Sequence, residues 1–471
     1  MKSYLKLEGC QPRIPELQFR KPIDWTLREG EYWAVIGDNG SGKSVLADMI
    51  RGRYALKAGR IAYGFAKGTS DFKVWESVRL LSFDSVYGLA DFRNSYYQQR
   101  WHSSENDDMP AVEELLGEAP DPAVTGLLGV DAFRDKKINY LSSGELRKFL
   151  ITKALLDKPR LLIVDNPYVG LDALSRTAVK ESLRNLCRCG DMQVIFLFSA
   201  ADDLPDFITH VLPMHDLEAG EPMDFEAFQA GYPEKPLETL GPAPEAKRET
   251  EPVVELKNIR IRYGRKTVLE NIDWIVRRGE KWALSGPNGS GKSTLLSLVN
   301  ADHPQAYAND ISFFGRRRGA GQSIWDVKKR IGYVSPEMHT HYYQNIPAAD
   351  VVGSGLFDTI GTVRQCDEAQ AARCMEWMER FGIAHLRDRS FIKLSSGEQR
   401  LVLLARTFVK EPPLLILDEP LHGLDLKHKR AVRSLIDDYC TEDVTLIYVT
   451  HYLNELPGCI DRHFRLEKRK D

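Results

Sequence analysis

Apolar residues in this chain fall in short, nearly unbroken runs, separated by stretches with helical spacing. Ala34-Val35-Ile36 and Ala283-Leu284-Ser285 are brief apolar runs that enter a glycine-rich turn. Leu161-Leu162-Ile163-Val164 and Leu414-Leu415-Ile416-Leu417 are continuous, and the segments from Val194 to Phe198 and from Val444 to Val449 make a further pair. Runs without polar alternation predict strands buried on both faces. With helical segments between them they predict an α/β fold with a mainly parallel sheet core. No apolar stretch reaches the roughly 18 residues of a membrane-spanning helix. The N-terminus, Met1-Lys2-Ser3-Tyr4-Leu5-Lys6, lacks the apolar core of a secretory signal.

The pattern is written twice. Residues 22–44 read PIDWTLREGEYWAVIGDNGSGKS and residues 271–293 read NIDWIVRRGEKWALSGPNGSGKS. Leu-Ser-Ser-Gly-Glu occupies 141–145 and again 394–398, and LLIVDNPYVGLD at 161–172 faces LLILDEPLHGLD at 414–425. Three matched blocks in one order predict a duplicated domain of roughly 220 residues rather than a solenoid of short repeats. The expected division is a first domain at 1–230, a linker at 231–252 and a second domain at 253–471. The linker, GYPEKPLETLGPAPEAKRETEP, is rich in Pro and charge and reads as extended and exposed.

Composition narrows the picture only a little. The 471 residues carry 64 Lys and Arg against 67 Asp and Glu, a net charge of −3, which argues against a general nucleic-acid coat. Seven scattered cysteines without a framework point to a reducing compartment, so a cytoplasmic protein is expected.

The glycine-rich turns carry the chemistry. Gly37-Asp38-Asn39-Gly40-Ser41-Gly42-Lys43-Ser44 and Gly286-Pro287-Asn288-Gly289-Ser290-Gly291-Lys292-Ser293 both fit the phosphate-loop pattern, and Thr294 follows the second. Glycines let backbone N–H groups converge on phosphate oxygens, and the following helix offers its positive end. The lysine reaches the terminal phosphates and the serine hydroxyl binds Mg²⁺. Asp165 and Asp418 end the apolar strands, where a carboxylate is placed to hold the metal through water. ATP and Mg²⁺ are the expected ligands, with Ser44, Asp165, Ser293 and Asp418 toward the metal.

The ordered set of phosphate loop, Leu-Ser-Ser-Gly-Glu, Asp-tipped strand and Gly-Leu-Asp resembles the ATP-binding cassette ATPases over nearly the whole chain, twice. The resemblance implies two P-loop nucleotide-binding domains, each with a helical subdomain. It implies that Ser142 and Gly144 close the site around Lys292, and that Ser395 and Gly397 close the site around Lys43. The same Ser and Glu would equally form a plain helix cap. The usual signature is Leu-Ser-Gly-Gly-Gln, so Ser143, Ser396, Glu145 and Glu398 depart from it. Paired within one chain, the cassettes would need no homodimer.

The copies are unequal against that family pattern. The family places a water-polarising Glu after the strand Asp: the second copy has Glu419, the first Asn166. It places a γ-phosphate-contacting His after the last strand: the second copy has His451, and the first has Ser199 at the matching position. It stacks adenine on an aromatic: Tyr263 fits in the second copy, while Ile14 holds that position in the first. Asn166 cannot take a proton. The expected productive set is therefore Lys292, Asp418, Glu419 and His451.

Both copies also lack the family's glutamine after the next strand, with Ser82-Phe83-Asp84 and Ser335-Pro336-Glu337 instead; Asp84 and Glu337 are the candidate stand-ins. The pairs Tyr96-Tyr97-Gln98 and Tyr342-Tyr343-Gln344 read as subdomain packing or an aromatic docking surface. Arg316-Arg317-Arg318 reads as a solvated basic loop. No C-x₂-C zinc module or Cys-rich N-terminal cluster accompanies the cassettes. The chain resembles a soluble tandem-cassette group associated with molybdate-transport genes and also described as photorepair proteins, in its twin Ser-Ser-Gly-Glu signatures and in the stretch from Ala349 to Gly361. That resemblance implies the ATP-binding component of a transport system, with an integral-membrane permease supplied by another chain and a place on the cytoplasmic face of the plasma membrane. The alternative is a soluble mechanochemical or regulatory ATPase acting on nucleic acid or a protein partner.

Overall fold

A computed structural model describes the chain except for residues 1, 67–71, 83–109, 118–119, 139–140, 142, 169–170, 172, 189–191, 232–249, 264–265, 322, 337, 339–341, 343–344, 361–363 and 468–471. Two compact units emerge. In the first, the parallel strands run in the order His210–His215, Trp33–Ile36, Gln193–Phe198, Leu161–Asp165, Val78–Ser82. Short antiparallel strands, Met223–Asp224 and Glu218–Ala219, pair with His210–His215. Every residue of Trp33–Ile36, Leu161–Asp165 and Gln193–Phe198 is buried. That explains their unbroken apolar character: both faces are covered.

The second unit repeats the plan as a parallel sheet of order Ile331–Val334, Leu414–Asp418, Thr445–Val449, Lys281–Ser285, Arg462–Arg465. Register aligns the carboxyl ends. Asp165 pairs with Leu197 and Ser82, and Asp418 pairs with Val449. The functional strand ends thus share one edge of each sheet, the edge where open α/β sheets bind ligands.

Each unit adds an antiparallel sheet that the apolar runs alone did not separate. Ser3–Pro12 pairs with Ile23–Arg28 and Leu56–Tyr63; Pro252–Tyr263 pairs with Lys266–Arg277 and Asp310–Phe313. Register shifts between Leu7 and Cys10, and between Leu256 and Ile259, break the period-two alternation that would have announced these strands. The phosphate-loop helix is packed between the two sheets. Leu46, Met49 and Ile50 of Lys43–Ile50 share one core with Leu5, Leu7 and Trp25 on one side and Ile163, Ile195 and Leu197 on the other. Leu295, Leu296 and Leu298 do the same in the second unit. The sandwiched helix carries the loop on a rigid support.

The remaining motifs resolve into packing. Tyr342 is buried, tilted against Phe391 at 5.4 Å, with its hydroxyl 2.9 Å from Ser354 Oγ. Tyr343 and Gln344, and the Tyr96-Tyr97-Gln98 copy, lie outside the described residues. Arg316–Arg317 is a two-residue strand; Arg317 pairs with Asp310 at 3.1 Å and Arg318 stacks on Tyr307 at 4.6 Å. The stretch from Ala349 forms Ala348–Gly353 and the turn Ser354–Phe357. A Cβ on Gly355 would stand 2.1 Å from the Arg406 carbonyl oxygen, so only glycine lets this turn press against the helix Ser396–Phe408.

His303 is joined to the second phosphate-loop helix, Lys292–Val299, by its backbone N–H, which donates to Ser297 O at 3.2 Å. Its Nδ1 accepts the Gln305 N–H at 3.1 Å, so the ring proton belongs on Nε2, which meets the Tyr263 hydroxyl at 2.7 Å. Burial pushes its pKa down to about 4, and a second ring proton would face the Gln305 N–H.

Two outcomes follow from these contacts. Gly355→Ala should lower unfolding stability by about 1–3 kcal/mol in urea titrations, through overpacking against backbone. His303 takes a proton more readily unfolded than folded, so its contribution is complete above pH 6.5 and is lost as pH falls toward 4. The loss should reach about 3 kcal/mol. His303→Gln should flatten the stability profile of the chain across that window, read by chemical denaturation at several pH values.

Candidate active site

Both phosphate loops have one geometry. Gly42 and Gly291 precede their helices with φ of 102° and 95°, in the left-handed region that glycine reaches without strain, and neither helix start has a side-chain cap. An uncapped helix start leaves backbone N–H groups for an anion. Lys43 Nζ donates to the carbonyls of Gly37 at 2.6 Å and Asp38 at 2.8 Å; Lys292 Nζ donates to Gly286 at 2.7 Å and Pro287 at 3.2 Å. Each ammonium thus lies over the loop's own cradle. Ser290 Oγ is buried in the second loop and has no hydrogen-bond partner, a hydroxyl left over for a ligand. Asn39, Gly40, Asn288 and Gly289 form the loop tips, Ser44 and Ser293 are exposed at the helix starts, and Thr294 is buried behind the second.

The strand ends separate the two copies. The residues after the aspartates have the same backbone: Asn166 and Glu419 both have φ of 45°. Asn166 N–H donates to Leu197 O at 3.0 Å and Glu419 N–H to Val449 O at 2.9 Å. Leu197 and Val449 each stand two residues before Ser199 and His451, so the register makes those two positions equivalent. In the first unit Asn166 Nδ2 donates to Asp165 Oδ1 at 3.0 Å, and Ser199 Oγ donates to Asn166 Oδ1 at 3.4 Å. In the second unit His451 Nε2 lies 3.2 Å from Glu419 Oε1, and His422 Nδ1 lies 2.9 Å from Oε2. Burial pushes the Glu419 carboxyl up, but hydrogen bonds from His422 and then His451 outweigh it and hold it well below the usual carboxylate range. His422 is a site residue that the family pattern did not supply. Its signal lay in the matched block, where DNPYVGLD has Val169 against His422 of DEPLHGLD.

The helix Ser396–Phe408 carries the second signature. Ser395 caps it: its Oγ accepts the Glu398 N–H at 3.4 Å, and Glu398 Oε2 accepts from both the Ser395 N–H and Oγ at 2.8 Å. The cap reading of this motif is therefore realised within the unit; Gly397 is buried behind it. One turn on, buried Arg400 donates to Ser335 O at 2.7 Å, Asp418 O at 2.8 Å, Pro420 O at 3.1 Å and Glu419 O. In the first unit Gly144 lies in Ser143–Leu156, where a Cβ would meet Ser175 at 3.2 Å, and Arg147 is buried at the matching position. Ser142, Asp84 and Glu337 lie outside the described residues.

Tyr263 ends the strand Pro252–Tyr263, half-buried, with its phenol on His303 and the Thr294 side chain. Ile14 instead precedes the short turn Pro15–Leu17 and is 39% exposed. In the second unit the pairing runs to Tyr263 and Lys266, whereas in the first it ends at Cys10 and Ile23, leaving Ile14 beyond the ladder. Among the described residues no cluster of three or more His, Cys, Asp or Glu side chains could hold a metal by itself, and no helix is long and apolar enough to cross a membrane.

A family model described as ABC transporter matches residues 20–169 and again 269–422. The ABC transporter ATP-binding protein ModF of Escherichia coli (strain K12) is 35% identical over 461 residues, covering 92% of this chain and 91% of that protein. An uncharacterized ABC transporter ATP-binding protein of Schizosaccharomyces pombe is 29% identical, covering 100% and 99%. Among solved structures, archaeal ribosome recycling factor aABCE1, in its complex with ribosomal stalk protein aP1, has a TM-score of 0.55 at 20% identity and covers 97% of this chain and 87% of its own. The RNase-L Inhibitor has a TM-score of 0.55 at 19% identity with the same coverage. At such identities the likeness is one of fold. Each family match falls on one of the two phosphate-loop frameworks, and the chain belongs to the ATP-binding cassette family as a tandem-cassette, ATP-binding ATPase.

Proposed function

We propose that the two cassettes hydrolyse ATP unequally, with one productive site built on Lys292, Ser293, Asp418, Glu419 and His451 and one slow site built on Lys43, Ser44 and Asp165. The observation that carries this reading is the contrast at the strand ends: a half-buried carboxylate between two imidazoles in one cassette, an amide bonded to its own neighbour in the other. Glu419 can accept a proton from the attacking water; Asn166 has no basic group to do so. The Lys292 ammonium exchanges loop carbonyls for phosphate oxygens. The bare helix start and the Ser290 hydroxyl receive the remaining phosphate charge. His451 turns from Glu419 Oε1 toward the γ-phosphate, which frees that oxygen for water. ATP and water leave as ADP and phosphate.

The donor set fits Mg²⁺: one hydroxyl and one carboxylate per cassette, Ser44 with Asp165 and Ser293 with Asp418, with phosphate and water completing an oxygen shell. The bound ion would neutralise charge on the transferring phosphoryl group. Ser142 and Gly144 complete the Lys292 site and Ser395 and Gly397 the Lys43 site, so that two ATP molecules bind within one chain without a homodimer. Tyr263 stacks adenine in the second cassette, and Ile14 provides no such platform in the first. The domain limits follow the repeat: 1–230, a linker at 231–252, and 253–471.

The work of the cycle goes to a membrane permease supplied by another chain, as the name of the ModF relative suggests. The departure at Ser335-Pro336-Glu337 favours a second reading, a soluble ATPase acting on nucleic acid or a protein, because that loop is where transporter cassettes sense their permease. Membrane co-fractionation that depends on a permease supports the first; stimulation of turnover by RNA or DNA supports the second.

Steady-state ATPase assays test the asymmetry. Glu419→Gln should reduce turnover by about 10²–10⁴-fold, the scale of lost general-base catalysis, while Asn166→Glu should leave it unchanged or raise it. Retention of most of the rate in Glu419→Gln would sink the one-productive-site reading.

A further inference from the structure

We infer that His422 is a positioning residue that aims the Glu419 carboxylate at the attacking water. The inference rests on the reading of Glu419 as the base and goes beyond it. Both carboxylate oxygens are occupied by imidazoles, but the two histidines are held differently. His451 stands after the neighbouring strand Thr445–Val449, on a segment 32 residues along the chain from Glu419. His422 lies three residues after Glu419 in a turn closed by its own backbone: the His422 N–H donates to the Glu419 carbonyl at 3.0 Å. That same carbonyl is held by the buried Arg400 guanidinium. The imidazole is therefore fixed relative to the residue it binds.

This difference matters at the moment of catalysis. Once His451 leaves Oε1 for the phosphate, the His422 contact at 2.9 Å is the remaining imidazole contact on the carboxylate. Glu has three side-chain torsions, and an unanchored carboxylate samples rotamers that point away from the nucleophile. Holding Oε2 leaves Oε1 as the oxygen presented to water. The donor must be Nδ1–H, because a carboxylate only accepts. The chain contains its own comparison. Where the base is replaced by Asn166, the aligned block DNPYVGLD has Val169 in place of His422, a side chain with no donor. Base and anchor occur together in one cassette and are replaced together in the other.

The test uses the full-length chain, measuring kcat, KM for ATP, equilibrium binding of ATP and thermal unfolding. His422→Val, which introduces the first cassette's own residue, and His422→Ala both remove the donor. His422→Asn keeps an N–H close to the Nδ1 position. The donorless variants should lose about 10–100-fold in kcat, the cost expected when a reacting group is misplaced by about 1 Å. KM, ATP binding and Tm should stay at wild-type values, and His422→Asn should recover most of the rate. An unchanged or raised kcat in the donorless variants overturns the inference, since a raised rate would make His422 a brake. So does a loss that tracks Tm or ATP binding, or an Asn variant as slow as the Val one. Glu419→Gln run alongside separates the two claims. If it retains turnover, the base assignment fails; if it abolishes turnover while His422→Val is harmless, only the positioning role fails.

Discussion

Arg400 reaches from the signature helix to the carbonyls of Ser335, Asp418, Glu419 and Pro420, and the geometry of the second site hangs on that buried guanidinium. It ties three segments far apart in sequence: the end of the strand Leu414–Asp418, the loop after Ile331–Val334, and the helix Ser396–Phe408. A guanidinium suits the task because its five N–H donors lie in one plane and cannot be lost at neutral pH. Burial pushes its pKa down only to about 10, so the charge persists. A buried cation is costly without compensation; here the carbonyl dipoles supply it, with the nearby Asp418 and Glu419 charges. Arg147 is buried at the corresponding place in the first cassette. Each cassette thus keeps the cation on its signature helix even though the chemistry at the strand end differs.

Backbone strain sharpens that contrast. Asn166 and Glu419 both hold φ of 45°. Asparagine is one of the few residues that visit this region readily; glutamate is not. The second cassette therefore keeps the conformationally dearer residue, at about 1–2 kcal/mol, and surrounds it with contacts that fix it: its N–H on Val449, its carbonyl on His422 and Arg400, its carboxylate on two histidines. The first cassette has the residue that fits the turn with least strain. On the proposed reading the strain is tolerated because the carboxylate is the base, and the first cassette, without that base, has no need to hold it.

The sequence announced the parts of this arrangement that are local or repeated. The parallel strands were legible because both faces are buried, and the phosphate loops because the turn demands glycines at fixed spacing. Ser199 could be set against His451 by counting, and the strand register bears the count out through Leu197 and Val449. The antiparallel sheets were not legible, because bulges after Leu7 and Leu256 interrupt the alternation. The Tyr263–His303 contact spans 40 residues and leaves no periodic trace. His422 was written in the matched block but carried no family expectation, and only the distance to Glu419 gave it a role. The candidate stand-ins Asp84 and Glu337, and the signature residue Ser142, lie where the structure is not described.

Duplication followed by loss at one site has a mechanical consequence on the proposed reading. Two equivalent hydrolytic sites would each reopen the chain at random, so either event would end the closed state. Without a base in the first cassette, nucleotide there would stay bound without a competing exit, and the length of each cycle would be set by one chemical step at Glu419. Binding energy shifts the open–closed equilibrium only by its differential affinity for the two states. A site that binds but turns over slowly supplies that difference for many cycles of its neighbour. On that reading the asymmetry would act as a timer, with nucleotide retained at the first cassette while the Glu419 carboxylate, anchored by His422, would set the pace of each turnover.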